Sequence, residues 1–366
     1  MALNCGIVGL TNTGKTTIFN CVSKTKAEAS NFAFSATKSN IGMADVHDSR
    51  LYEIDRLIKS AKVIPATVNL VDLPGLAKGA SHGEGVGNNF LVDIQKTSAL
   101  IHVIRCFDDP ALPHVEGSID PVRDKEIIDL ELQVRDLDLV ERKIQRSEKL
   151  IKAGDKDAKA AVEFLTRLKD RFENFSNARD MEMTEKEEEM YVRDLFLLTM
   201  KPVIYVCNVD ETSAATGNAY SAKLIEAVKN ENTEVIVIAG KLESEIAELE
   251  NEEDRELFLQ DAGLKEPGVN RLIRSAYKLL NLQSFFTAGP KESRAWTIKQ
   301  GMTAQQAAGV IHSDLERGFI RAEVMAYLDL IQYKTEHAVK EAGKFRLEGK
   351  SYIVQDGDIL HVRFNV

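Results

Sequence analysis

The stretch IVGLTNTGKTTIF, residues 7–19, joins an apolar run to a glycine-bearing turn and then to a helix-forming segment. Gly9, Gly14, Lys15 and Thr16 stand at the G-x-x-x-x-G-K-[ST] spacing of a phosphate loop. The preceding NCGIVGL has the β-branched, apolar character of a buried strand. A strand, a tight turn and a helix in that order aim backbone N–H groups at a phosphate lying on the helix N-terminus. Lys15 adds a point charge for the terminal phosphates, Thr16 offers its hydroxyl to Mg2+, and Asn12, Thr13 and Thr17 complete the cradle. The ligand class is a nucleoside triphosphate with its magnesium.

Four further runs repeat the strand character of the first: ATVNLVDLPG (66–75), SALIHVIRCF (98–107), KPVIYVCNVDE (201–211) and TEVIVIAGK (233–241). Strands separated by helix-length segments predict an open parallel α/β sheet with its ligand at the carboxyl ends of the strands. Three of those ends carry chemistry. Asp72 and Gly75, in DLPG, bring a carboxylate for Mg2+ and a backbone N–H for a terminal phosphate. Asn208, Val209 and Glu211 occupy the place of the Asn-Lys-x-Asp loop with which guanine-specific switches read the base, but the lysine is absent and the acid is one methylene longer. Gly240, in IAGK, falls on the loop that backs the base.

Residues 122–199 interrupt this pattern with few Gly or Pro and heavy charge. Leu130, Leu137, Ile144 and Ile151 recur every seven residues, with Ile127 and Val134 three before the first two, which predicts a coiled-coil-like seam. After the turn AGDKD, Val162, Leu165, Leu168, Phe172 and Phe175 continue at helical spacing as an antiparallel return. The capping box TEKE, 184–187, opens a third helix running toward Met200. From about residue 283 short strands and turns take over. The expected domains are a P-loop sheet domain over 1–121 and 200–282, a helical insertion over 122–199 and a small α+β domain over 283–366.

A net charge of −10 over 366 residues, with 44% hydrophobic content, describes a soluble globular chain and excludes one that coats nucleic acid by bulk electrostatics. No DNA partner is expected. Residues 291–366 are close to neutral and are the part least repelled by RNA. Cys5, Cys21, Cys106 and Cys207 show no CxxC spacing and suit a reducing compartment. MALNCGIVGL lacks the pattern of a signal peptide and no apolar run approaches membrane-spanning length, so a cytoplasmic protein without a membrane partner is expected.

The order of motifs, the inserted hairpin, GASHGEGVGNNFL (79–91), RAWTI (294–298), GVIHSDLERGFIRAEV (309–324) and DGDILHVRFNV (356–366) resemble the YchF / Obg-like ATPase family of translation-factor-class P-loop NTPases. The resemblance covers essentially the whole chain. It implies a GTPase-like sheet domain, a coiled-coil insertion and a C-terminal TGS domain of β-grasp shape. It also implies ATP as substrate in preference to GTP, associated with Asn208 and Glu211, together with ribosome binding and a part in stress responses. Where Ras-like switches carry a water-orienting glutamine this chain has Leu76, and the resemblance gives that catalytic role to His114, in DDPALPHVEG (108–117). Asn12 is similar to the asparagine that helps hold K+ in potassium-dependent relatives.

The first switch departs from the family pattern. NFAFSATKSN (31–40) has Ala33 and Ser39 in place of prolines and Ala36 in place of the threonine that closes over Mg2+, while Thr37, one place along an extended segment, points to the other face. Two other readings stay open: a nucleotide-binding interaction protein with impaired hydrolysis, which Ala36 favours, and a P-loop kinase, which would have no use for Asn208 and Glu211.

Overall fold

The chain opens with β1 (Asn4–Val8), α1 (Lys15–Val22), β2 (Asn40–Val46), α2 (Ser49–Ile58), β3 (Val63–Ile64), β4 (Ala66–Asp72), α3 (Val86–Gln95) and β5 (Ala99–Cys106). Helices α4 (Pro121–Lys152), α5 (Asp157–Glu173) and the short α6 (Glu185–Glu187) follow. Next come β6 (Val203–Val209), α7 (Ala219–Val228), β7 (Glu234–Ile238), α8 (Gly240–Glu248), α9 (Glu252–Asp261) and α10 (Gly268–Leu279). The last stretch holds β8 (Leu282–Ala288), β9 (Ser293–Lys299), α11 (Ala304–Ile311), α12 (Ser313–Arg317), β10 (Phe319–Ala326), α13 (Tyr327–Tyr333), α14 (Glu336–Glu341), β11 (Arg346–Glu348) and β12 (Asp358–Phe364). The computed structural model describes residues 4–23, 39–75, 86–152, 154–155, 157–249 and 251–365. The expectations for Ala33, Ala36, Thr37 and Leu76 lie outside these residues.

Two compact units make up the chain: Met1–Gly42 with Asn69–Leu272, and Met43–Val68 with Ile273–Val366. The first has the expected α/β P-loop fold. Its sheet runs in the order β2-β4-β1-β5-β6-β7, and β1 pairs in parallel with both β4 and β5. Both β5 and β6 are buried along their whole length, as strands covered on two faces must be, which explains their near-continuous apolar runs. Because β4, β1, β5, β6 and β7 are neighbours in that order, the strand ends singled out in the sequence follow one another along one rim of the sheet. Beneath them, Phe90, Ile94, Ile104, Ile128, Leu132 and Leu198 share one core, each contributing roughly 1.5–3 kcal/mol by burial.

The helical insertion forms as α4 and α5, but its seam differs from the heptad line. Ile127 is buried and Leu137 and Ile144 pack partly buried against the hairpin core, but Leu130 and Ile151 are exposed, while Ile128, Leu132 and Val140, off the heptad line, are buried. The first turns of α4 lie on the sheet and its middle on α5, where Val140 meets Phe164, Leu165, Leu168 and Phe172. One stripe serving two partners cannot keep a strict seven-residue repeat. The capping box at Thr184 and Glu187 is present, yet α6 passes at once into a π turn over Glu188–Val192 and a 3-10 turn over Arg193–Leu195 instead of a regular third helix. No helix among the described residues is long and apolar enough to cross a membrane.

The second unit contains a sheet in the order β11-β10-β12-β8-β9-β3. Helix α11 lies on a core of Phe285, Ile298, Phe319, Val324 and Leu360 through Ala304, Ala307 and Ala308, whose small side chains allow close approach. The sequence reading kept Met43–Val68 with the first sheet; in the structure β2 and β4 do stay in that sheet, but α2 and β3 between them fall in the second unit. Strand β3 pairs with β9, helix α2 packs against β8, β9 and α13, and Arg50 bridges Asp48 and Asp356 at 2.8 and 2.7 Å. The apolar face of α2, Leu51 and Ile54, is buried as a result.

Candidate nucleotide site

The loop from β1 to α1 turns through Asn12 at φ 62° and Gly14 at φ 91°, the left-handed region that Asn tolerates and Gly favours. A Cβ on Gly14 would lie 2.2 Å from Asn208 Nδ2, so glycine is also required by close approach. Lys15 is buried, and its ammonium donates to the Leu10 carbonyl at 2.6 Å. Burial lowers its pKa to about 8, against the opposing pull of Asp72. Thr13 Oγ1 donates to the same carbonyl at 3.1 Å. Thr17 lies half-buried in the first turn of α1, and Gly9 ends the approach from β1.

Thr16 Oγ1 donates to Asp72 Oδ2 at 2.9 Å, joining the first turn of α1 to the end of β4. The other carboxylate oxygen, Oδ1, is buried without a hydrogen-bond partner among the described residues. Burial raises the Asp72 pKa, with the Thr16 hydroxyl, the Lys15 charge and the Asn40 side chain opposing it. An unsatisfied buried carboxylate oxygen beside a hydroxyl is the donor set that a small hard cation satisfies, so Thr16 and Asp72 fit Mg2+. Gly75, three residues on, backs onto Thr11 of the phosphate loop.

On the other side of β1, Asn208 at the end of β6 donates through Nδ2 to the Thr13 carbonyl at 2.9 Å and accepts from Gly240 N–H at 2.9 Å. Its buried amide therefore locks three loops together. Val209 is buried within β6, and Glu211 starts the next turn, its Oε1 2.5 Å from Lys241 Nζ. Both partners of that pair are exposed, at 41% and 76%, so its worth in stability is small.

The loop after β5 is built rather than slack. Arg105, 1% exposed, donates to the carbonyls of Phe107, Asp109 and Leu112 at 3.1, 3.4 and 2.8 Å. Asn12 Nδ2 donates to the Pro113 carbonyl at 3.2 Å, fastening this loop to the phosphate loop. The His114 side chain is 3% exposed, with Nε2 2.8 Å from Asp124 Oδ2 and Nδ1 accepting from Glu116 N–H at 3.1 Å. Burial raises the Asp124 pKa, while the hydrogen bonds from Arg123 and His114 oppose it.

A family model described as 50S ribosome-binding GTPase matches residues 4–152. A second, YchF-GTPase_C, described as a protein of unknown function, matches 282–365. The protein named Ribosome-binding ATPase YchF of Bacillus subtilis (strain 168) is 49% identical over 368 residues, with all of both chains covered. The chain belongs to the YchF family. The YchF of Escherichia coli O157:H7, of the same printed name, is 47% identical over the whole of both chains. A solved YchF, "Structure of the Schizosaccharomyces pombe YchF GTPase", matches at TM-score 0.84 and 33% identity over 99% of this chain and 97% of that one.

In this YchF-family chain the structure brings Lys15, Thr16 and Asp72 together at the phosphate loop and ties Asn208 to that loop and to Gly240. Thr16 and Asp72 are the residues that would hold Mg2+, which when bound would neutralise charge on the phosphate oxygens. Lys15, buried with its ammonium on the Leu10 carbonyl, would supply a point charge to bound phosphates. His114 stands one residue beyond the fastened Pro113, with its ring turned into the protein. Sequence reasoning missed Arg105, Asp124 and Lys241. Arg105 left a signal, a charge in a strand that otherwise reads as fully buried, where only a well-bonded guanidinium can stay. Asp124 left none, since an acid in a helix's first turn is an ordinary dipole partner.

Proposed function

We propose that this YchF-family chain is a cytoplasmic, ribosome-associated triphosphatase that binds ATP with Mg2+ in preference to GTP and hydrolyses it slowly to ADP and phosphate. Its two nucleotide states act as a switch in translation or the stress response. The observation that carries the reading is the Lys15, Thr16 and Asp72 cluster with its unbonded carboxylate oxygen, set beside the Asn208 lock. The relatives' printed name, Ribosome-binding ATPase YchF, supports both the reaction and the partner. Glu211 is one methylene longer than the aspartate of guanine-specific loops, which takes its carboxylate out of line with guanine's paired N–H donors and supports loose discrimination favouring ATP. His114 is the group that aligns the lytic water. The helical insertion (122–199) and the C-terminal domain (283–366), a TGS domain in this reading, meet the ribosome. K+ would rely on the Asn12 side-chain oxygen, because the nitrogen is engaged with Pro113.

Competition of labelled ATP by GTP, and single-turnover hydrolysis with and without ribosomes, test the proposal. ATP should bind more tightly, ribosomes should accelerate hydrolysis, and His114→Ala should slow it without weakening ATP binding. GTP binding at least as tight as ATP would make the chain a GTPase. A second reading, a nucleotide-binding interaction protein with impaired hydrolysis, is favoured by Ala36 alone. It wins if ribosome-bound protein turns over no ATP.

A further inference from the structure

We propose that Asp124 is a latch that holds His114 away from the phosphates and makes its release depend on the helical insertion. The inference rests on the reading that His114 aligns the lytic water.

The backbone and the side chain at this position are held by different parts of the fold. Pro113, the residue before His114, is fastened to the phosphate loop through Asn12, and the loop that carries it is braced by the buried Arg105 guanidinium. The backbone is thus already beside the phosphate loop. The ring is buried against the first turn of α4, with both nitrogens engaged. Nδ1 accepts from Glu116 N–H, so Nε2 carries the proton and donates to Asp124. In a relay of the Ser-His-Asp kind the carboxylate takes one nitrogen and the other faces the reacting atoms. Here the second nitrogen is spent on the backbone, and no ring atom remains to meet a water. The pair is therefore a resting arrangement and not a working one.

Asp124 itself sits in the first turn of α4. Its Oδ1 accepts from Arg123 Nε and Nη2 at 3.1 and 2.8 Å, and Arg123 in turn donates to the Ser118 hydroxyl and carbonyl at 2.9 and 2.6 Å. The next residue, Lys125, lies 2.9 Å from Asp129 on α4 and 2.7 Å from Glu231, beyond α7. These contacts make the base of α4 a fulcrum. From it α4 runs for 32 residues as the first arm of the hairpin with α5. A hydrogen-bonded helix of that length transmits a rotation or tilt from its far end to its first turn, and a shift of about 1 Å there is enough to break the bond to His114. A partner gripping the hairpin would free the ring, and the anchored Pro113 would leave it within reach of the phosphates.

The test uses the full chain and four proteins: wild type, Asp124→Ala, His114→Ala and the double variant. Turnover is measured with and without ribosomes, and ATP affinity and thermal melting are measured alongside. The latch predicts that Asp124→Ala raises ribosome-free turnover about tenfold, the factor expected when one charged hydrogen bond is lost from the resting state alone. Ribosome stimulation should shrink by the same factor, ATP affinity should hold, and the double variant should turn over like His114→Ala. Lower or unchanged turnover in Asp124→Ala with ATP affinity intact overturns the latch. Unchanged turnover in His114→Ala instead removes the catalytic reading, and the latch with it. Since Asp124 is buried and its loss could unfold the base of α4, Asp124→Asn gives a second readout: the rate at which diethyl pyrocarbonate modifies His114, followed by mass spectrometry. Neutralising the carboxylate should speed modification severalfold over a protected wild type. Equal rates in the two proteins, or a wild-type His114 that reacts like an exposed histidine, overturn the proposal.

Discussion

Asn208 holds Thr13 across 195 residues of chain, its side-chain nitrogen 2.9 Å from the Thr13 carbonyl while its oxygen takes the Gly240 N–H. With the amide engaged at both ends, Asn208 keeps the phosphate loop and the base loop in register more than it reads the base. Asn208→Ala should lower affinity for ATP and GTP by the same factor, about tenfold or more, as two hydrogen bonds of roughly 1 kcal/mol each disappear. Competition binding with both nucleotides measures it. A loss confined to one base would mean direct recognition.

Gly14→Ala is expected to abolish nucleotide binding while leaving the chain folded. The new methyl would meet Asn208 Nδ2, and the left-handed φ adds a cost of about 1–2 kcal/mol. The readout is the rise in melting temperature on adding MgATP, which should vanish in the variant because stabilisation by a ligand follows its affinity.

Asp136, buried on α4, accepts from Leu198 N–H, Thr199 N–H and the Thr199 hydroxyl, all of which favour its charged form. Burial outweighs them and raises its pKa from 3.8 to about 6. Between those values the folded chain keeps a proton that the unfolded chain has lost. The stabilisation from this group is therefore full below about pH 4 and lost as pH rises through 6, a change of about 3 kcal/mol. In urea titrations the stability of wild type relative to Asp136→Asn should fall by about that amount between pH 3 and pH 7. A flat difference would show that the three donors prevail over burial.

Arg50 donates to Asp48 and Asp356 and lies 5.4 Å over the Phe286 ring, tying α2 to the turn before β12 and to β8. Arg50→Ala should destabilise the second unit by about 2 kcal/mol, since a partly buried bidentate cation leaves two carboxylates behind. Limited proteolysis within 43–68 and 273–366 should quicken. A chain ending at residue 282 should fare worse, because Leu51 and Ile54 would lose the strands β8 and β9 that cover them. Recovery of that truncated chain as a stable, ATP-binding monomer would contradict the assignment of α2.

What the sequence carried was local. The phosphate loop, the DLPG end of β4 and the asparagine on β6 were legible because each is a short motif on a strand end, and strand order then sets them side by side. The capping box at Thr184 was legible for the same reason: its bonds span three residues. Distant partners left no such trace. Leu130 keeps the heptad spacing and still faces solvent, because α4 changes the surface it packs on along its length. The orientation of the His114 ring depends on an acid ten residues later whose spacing is that of any helix start. The membership of α2 depends on strands more than 200 residues away, which no periodicity within Met43–Val68 can announce.

That detour of Met43–Val68 into the second unit sets an order of events during synthesis. Strand β3 is made early, but its partner β9 starts at Ser293, and translation at about 5–20 residues per second leaves β3 waiting for roughly 10–50 s. Throughout that interval Leu51 and Ile54 have no surface to cover them, while the chain on either side of the segment can already begin to form the phosphate loop. The growing polypeptide thus carries an open apolar helix that closes only after β8 and β9 have been made, and a chaperone or the exit-tunnel surface has that interval in which to engage it.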